Sequence, residues 1–210
     1  MEAINEGFFY HIYNRGAGKS NLFWSDDDYS YFMSKYDYYL YISVETYAYC
    51  LLKNHFHLLI RVRTVEEQKE IFSSIKEKFP VGTFYGDHFS APKPFYASKQ
   101  FSHLMNSYTK SLNSQKNRTG TLVEGTFKRK RVTDEDYFNH LACYIHRNPI
   151  HHNIQKDYSE YPHSSYNQFL YDEKTLLEKT KLLNRFGGRQ NFIEAHQEFM
   201  MMLGKEYYLE

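Results

Sequence analysis

The residue pattern predicts an α+β fold: an antiparallel sheet backed by helices, with a helical extension at the C-terminal end. Three observations carry this. Runs rich in aromatic and β-branched residues at 7–15, 44–52 and 55–63 read as strands, and only Lys53-Asn54 separates the last two, which makes them a hairpin. Apolar residues recur at helical spacing in the segments between and after these strands. Those beginning at Ser25, Thr64 and Thr133 open with capping residues followed by acids. The resulting order, β-α-β-β-α, is most of a ferredoxin-like unit.

The first strand, 7–15 (GFFYHIYNR), is ended by Gly16-Ala17-Gly18. His11 and Asn14 are polar groups in or just after it; a place near a site and a structural role are both open to them. Ser25 followed by Asp26, Asp27 and Asp28 is an N-cap with acids in the first helical turn, where they complement the helix dipole. That helix runs to about Tyr41, with Tyr29, Phe32, Met33, Tyr36 and Leu40 as its apolar stripe. After the hairpin, Thr64 caps a helix through about Lys78, with Glu66 and Glu67 in its first turn and Ile71, Ile75 and Phe79 inward. Residues 80–94, with Gly82, Gly86, Pro92 and Pro94, read as an irregular insertion.

A helix over 98–115 carries Phe101, Leu104, Met105, Tyr108 and Leu112 on one face, and Asn117-Arg118-Thr119-Gly120 ends it. Residues 122–132 (LVEGTFKRKRV) read as a loop and strand. Thr133, followed by Asp134, Glu135 and Asp136, opens a helix expected to stop near Arg147, because Pro149 disfavours helical geometry at Asn148. The tail from Asp157 contains YSEYPHSSY and two helices, about 173–183 and 191–203, separated by Gly187-Gly188. The expected organisation is a main unit over 1–170 and a helical extension over 171–210.

A chain of 210 residues is long enough to bury a sizeable core. Its formal net charge of +1 supplies no global basic field, so any affinity for nucleic acid has to come from local clusters. The 21 tyrosines and 17 phenylalanines, against one tryptophan, would serve a core or base stacking equally well. Two cysteines, Cys50 and Cys143, do not make a disulfide framework, which suits a reducing compartment. No signal-peptide pattern and no apolar run of membrane-spanning length is present, so the expectation is a soluble cytoplasmic protein with no membrane partner.

The chemistry centres on His55-Phe56-His57. Alternation along a strand puts both imidazoles on one side and Phe56, Leu58 and Ile60 on the other. Two imidazoles on one face can share a divalent cation, although alternation also produces such pairs by accident among 11 histidines. The pair needs a third ligand, and an Asn or Gln carbonyl suits Mg²⁺ or Mn²⁺. No cysteine pair has zinc spacing. A cation with open positions makes a bound phosphate more electrophilic, and a tyrosine beside it could attack. Spacing alone does not choose among 21 tyrosines. Tyr144 has the advantage of sharing a helical face with Asn148, four residues on. Lys128-Arg129-Lys130-Arg131 is the leading phosphate-contact cluster, with two cations on each side of its strand.

These residues resemble the HUH endonucleases, most nearly the single-tyrosine transposases of insertion sequences and their REP-associated relatives. The resemblance rests on His55-Phe56-His57 after YAYCLLKN and on His11-Ile12-Tyr13-Asn14-Arg15-Gly16 as the opening strand. It rests further on NRTGTLVEGTFK, on Tyr144-Ile145-His146-Arg147-Asn148-Pro149 as the Tyr-Ile-x-x-Asn-Pro block, and on YPHSSY. It covers roughly residues 7–170. His163 stands where that family usually has tryptophan, and Ile150-His151-His152-Asn153 lacks its usual glycine.

The resemblance implies a ferredoxin-like domain that binds single-stranded DNA, often as a hairpin. It implies Mg²⁺ or Mn²⁺ held by His55 and His57 and completed by Asn148, with Tyr144 attacking the phosphate to leave a 5′-phosphotyrosine and a free 3′-OH. Arg15 and Lys128, Arg129, Lys130 and Arg131 are the expected DNA contacts. A homodimer is left open, since the family has both monomers and dimers. Tyr108 is the reserve nucleophile, although its apolar stripe points to the core. The competing expectation is a non-cleaving, structure-specific DNA- or RNA-binding module built on the same cationic strand and aromatics.

Overall fold

Strands form where side chains alternate, and helices where the apolar period lengthens. The computed structural model describes residues 3–78, 95–172 and 175–202. The described elements are β1 (Phe9–Arg15), a 3-10 turn (Ala17–Lys19), α1 (Asp26–Leu40), β2 (Val44–Leu52), β3 (His55–Val62) and α2 (Val65–Lys78). They continue with α3 (Ala97–Gln115), β4 (Lys128–Val132), α4 (Glu135–His151), 3-10 turns at Tyr158–Glu160 and Tyr166–Phe169, α5 (Lys179–Arg185) and α6 (Arg189–Met202). The four strands make one sheet in the order β2-β3-β1-β4, with every neighbouring pair antiparallel. This is the ferredoxin-like arrangement expected from the sequence, with a helical C-terminal region.

The sheet separates two layers. On one face Tyr10, Ile12, Phe56, Leu58 and Ile60 are buried beneath α1 and α3, where Phe32 meets Phe56 with ring centroids 5.4 Å apart. All five stripe residues of α3 are buried, and the Tyr108 hydroxyl donates to the Leu22 carbonyl at 2.8 Å, so Tyr108 is a core residue. On the other face lies α4, whose Phe138 packs edge-on against Phe9 and Tyr47. At the start of α1 the expected cap is present as a reciprocal capping box between Ser25 and Asp28. Thr64 and Glu67 exchange the same pair of bonds at α2.

Four expectations shift. The cap of α4 is Asp134, whose carboxylate accepts from the Tyr137 N–H at 2.8 Å; Thr133 stands one residue outside it. That helix does not stop at Arg147 but carries Pro149 inside it and ends at His151. Residues 141–149 are all buried, and their packing outweighs one missing N–H and the strain before proline. The first tail helix is confined to Lys179–Arg185. Leu177 instead bridges Thr46 of β2, and the Glu178 N–H donates to the Thr46 carbonyl at 2.8 Å. Lastly, α6 begins earlier than expected, at Arg189. The insertion at 80–94, Phe79 and Leu203 lie outside the described residues, as does the side chain of Ile75.

The exposed edge of β2 is covered twice. Besides the Leu177 bridge, Leu51 donates to the His163 carbonyl and Ser165 donates to the Tyr49 carbonyl, each at 3.0 Å. His163 itself stacks on Tyr29 at 3.5 Å and pairs with Asp26. The C-terminal α6 is tied to α4 by a buried chain of polar groups. Ser165 Oγ bonds His146 Nε2 at 2.8 Å, His146 Nδ1 bonds His196 Nε2 at 2.8 Å, and His196 Nδ1 donates to the Phe192 carbonyl at 2.7 Å. Among the described residues no helix is long and apolar enough to cross a membrane.

Burial holds the His196 pKa at about 3 and the His146 pKa well below its ordinary 6.5, so both stay neutral in the fold. In the unfolded chain they protonate near 6.5. Their contribution is therefore complete above that value and is lost progressively as the pH falls below about 6.5, by up to about 1.4 kcal/mol per pH unit for each group. Urea titrations should show the unfolding midpoint falling steadily below pH 6.5, and a His146→Gln/His196→Gln variant should show a shallower decline. A variant as acid-sensitive as the wild type would remove this pair as the cause.

Candidate functional site

Register decides which side chains meet. In the β1–β3 pairing Arg15 faces His55, Tyr13 faces His57 and His11 faces Leu59, so Arg15, Tyr13, His11, His55 and His57 share the α4 side of the sheet. In the β1–β4 pairing Lys128 faces Tyr13 and Lys130 faces His11, which brings these two cations to the same side. Arg129 and Arg131 fall on the opposite side, over the rings of Phe127 (5.5 Å) and Phe8 (3.6 Å). The four-cation run is thus split, and only Lys128 lines the cavity beside the histidines. That cavity, about 290 Å³, is lined by Tyr13, Asn14, Arg15, Gly16, Lys19, Asn54, His55, His57, Lys128 and His152. Arg15 also forms an ion pair with Glu124.

The two histidines are held differently. His57 is buried, and its Nδ1 shares a hydrogen bond of 2.9 Å with Nε2 of His11. Its Nε2 is buried with no hydrogen-bond partner among the described residues. Burial, reinforced by His11, His55 and His152, lowers the His57 pKa well below 6.5, and burial with the Lys130 ammonium lowers that of His11 to about 3. Both rings are neutral at physiological pH, which is the form that ligates metal. His55 donates from Nδ1 to Asn54 Oδ1 at 2.8 Å, which leaves a lone pair on Nε2. That nitrogen lies 3.2 Å from Asn148 Oδ1 and 3.1 Å from His152 Nε2.

His55 Nε2 and Asn148 Oδ1 face one another closely enough for a cation to be shared between them. Ligand atoms bonded at about 2.1 Å to one ion stand about 3.0–3.4 Å from their neighbours. The spacing here and the orphaned His57 Nε2 therefore fit a cation held by His55, His57 and Asn148. Among the described residues no three His, Cys, Asp or Glu side chains form a ready-made cage. The fitting set is mixed, two imidazoles and an amide oxygen, which suits a harder cation better than zinc.

Tyr144 comes from the same chain as the histidines. Its ring lies edge-on to His57 at 5.8 Å and to His11 at 6.4 Å, with His151 at 5.4 Å. Tyr144 is 6% exposed and Asn148 fully buried, and neither is among the residues that line the cavity. Two further residues belong to the site. His11 orients His57; its place opposite β3 depends on register, which the sequence does not reveal. His152 joins because α4 continues through Pro149, so that 144, 148 and 152 stack along one helical face. Tyr13, stacked on His57 and overlain by the Lys128 ammonium at 5.9 Å, forms part of the wall.

The fold and site together define an α+β architecture in which a His-Phe-His strand lies under a tyrosine-bearing helix. The same fold occurs in a solved structure of a REP-associated tyrosine transposase bound to a REP hairpin. The likeness has 14% sequence identity and a TM-score of 0.58, and covers 81% of this chain and 83% of that one. No family model matches the chain, and no curated protein matches it.

The His11–His57 contact should register as energetic coupling. In a double-mutant cycle with His11→Ala and His57→Ala, each single change strands a buried ring nitrogen, and the coupling read from urea denaturation should be about 1 kcal/mol. Changes that add to within about 0.3 kcal/mol would remove His11 as the group that orients His57.

Proposed function

We propose that this chain is a metal-dependent strand transferase acting on single-stranded, hairpin-forming DNA, with Tyr144 as the nucleophile. One observation carries the reading: the α4 pair Tyr144 and Asn148 packs against His55 and His57, although these pairs lie far apart in the sequence. The hairpin bound by the structurally similar transposase supports the choice of substrate.

His55, His57 and Asn148 would hold Mg²⁺ or Mn²⁺, which when bound makes the phosphate a better electrophile. His11 keeps His57 oriented with Nε2 toward the site, and Asn54 does the same for His55. Lys128, Arg15 and Lys19 bring cationic groups to the cavity that a phosphate backbone would enter. The Tyr144 phenol oxygen forms a bond to phosphorus while the bond to the 3′-oxygen breaks, and the phenol proton ends on that oxygen. The products are a 5′-phosphotyrosine and a free 3′-OH. The stored ester can then be attacked by another 3′-OH to rejoin a strand.

A second reading, a module that binds structured single strands without cutting them, is favoured by the burial of Tyr144 and Asn148, neither of which lines the cavity. Both readings are separated by incubating the chain with a hairpin-bearing oligonucleotide and Mn²⁺ and looking for a covalent adduct on a denaturing gel. The transferase predicts an adduct abolished by Tyr144→Phe, by chelation and by His57→Ala. An adduct that persists in Tyr144→Phe refutes the assigned nucleophile. Tight binding with no adduct, insensitive to chelator, selects the second reading.

A further inference from the structure

The single tryptophan of the chain, Trp24, is 39% exposed although it sits between two fixed points. Phe23 before it is buried and donates its N–H to the Lys53 carbonyl at 3.1 Å. The Trp24 N–H donates to Asp28 Oδ2 at 2.8 Å, within the network that caps α1. The backbone is thus pinned on both sides while a large aromatic surface remains in solvent. An indole has an apolar face and a polar N–H, a combination suited to a half-exposed contact surface.

Two cations from the end of α3 gather at this ring. The Arg118 guanidinium lies 5.4 Å and the Lys116 ammonium 6.0 Å from its centroid. Neither is consumed by the protein. Arg118 is half-exposed, and its Nη1 is buried with no hydrogen-bond partner among the described residues. Among the described residues Lys116 pairs with Asp28 alone, at 3.9 Å, and the same Asp28 oxygen already accepts two backbone N–H groups. The neighbouring acid Asp26 is turned to His163. The patch also adjoins the candidate site through the backbone. Leu22 and Phe23 both donate to the Lys53 carbonyl, and Asn54, next in the chain, holds His55.

We propose that Trp24, Lys116 and Arg118 form a base-stacking subsite for single-stranded DNA next to the His55 cavity. A nucleobase stacks on the exposed indole, and the two cations take the flanking phosphates. This inference shares with the proposed function only the identity of the partner; it needs neither the cation nor Tyr144. A duplex, whose bases are stacked on each other, cannot use the indole.

The chemistry supplies its own probe, because Trp24 is the sole tryptophan. Emission excited selectively at tryptophan should be quenched saturably when the Tyr144→Phe variant is titrated with oligothymidylate in the presence of chelator. A duplex of equal length should leave it unchanged. In parallel, anisotropy of a labelled oligothymidylate should show Trp24→Ala binding about 5- to 100-fold more weakly, and Trp24→Phe recovering much of the loss. Lys116→Ala and Arg118→Ala should each reduce the slope of log affinity against log salt by about 0.7. Saturated binding by anisotropy with unchanged emission, or Trp24→Ala binding like the wild type, overturns the subsite and leaves the proposed function standing. Equal quenching by duplex reduces the patch to a general polyanion contact and also overturns it. Absence of any oligothymidylate binding overturns the subsite and leaves the proposed function, which acts on hairpin-forming DNA, standing. Quenching without a covalent adduct from the wild type keeps the subsite and removes the transferase.

Discussion

A shift of one residue between β1 and β3 would carry His11, Tyr13 and Arg15 to the α1 side of the sheet and leave His57 with an unpaired ring beneath α4. The pairing is held from both faces. Tyr10, Ile12, Phe56 and Leu58 are all buried under α1 and α3, so a slip would expel this apolar set along with the polar one. The His11–His57 hydrogen bond, 2.9 Å long and buried, is the point at which the register becomes chemistry. An imidazole pair there needs complementary donor and acceptor nitrogens, and that requirement fixes which nitrogen of His57 is left to face the site.

The second half of the site depends on a helix that tolerates a proline. Pro149 removes one backbone donor from α4, yet the buried run from Leu141 to Pro149 keeps the helix turning as far as His151. His152, at its end, thereby stays in line with Asn148 and Tyr144. The far side of α4 is anchored by His146, joined to Ser165 and His196, and by Arg147, whose Nη1 donates to the His196 carbonyl at 2.9 Å. The C-terminal α6 thus presses α4 against the sheet, which gives the tail a part in placing Tyr144 without touching the cavity.

Much of this is legible in the sequence because local patterns carry it. Alternation places Phe56 against the core and the histidines together, and the i, i+4 rule joins Tyr144 to Asn148. Capping chemistry locates the starts of α1 and α2. The failures have a common physical origin, in that tertiary packing overrides a local preference. Pro149 should stop α4, but burial on several sides keeps it going. Leu177 has helical neighbours yet is more useful covering the edge of β2. His11 reads as a polar residue in a strand and no more, since its partner depends on which strands pair and in what register. Arg129 and Arg131 look equivalent to Lys128 and Lys130 in the sequence, and only the direction of the α4 face distinguishes them.

The charges around the cavity follow a consistent logic. Its lining contains Arg15, Lys19 and Lys128 and no carboxylate, while burial and the neighbouring histidines push the His57 pKa well down. Three neutral ligand groups cannot offset a divalent ion in such surroundings, and the nearby cations oppose it. In the proposed reaction the missing negative charge would come from the DNA phosphate, which would meet the Lys128 and Lys19 ammoniums as it arrives and make the cation acceptable between His55 and Asn148. Cation and strand would therefore bind together rather than in turn, each raising the affinity for the other by the same factor. In the proposed reaction, a site assembled from imidazole and amide instead of aspartate would thus be one in which the substrate completes the coordination.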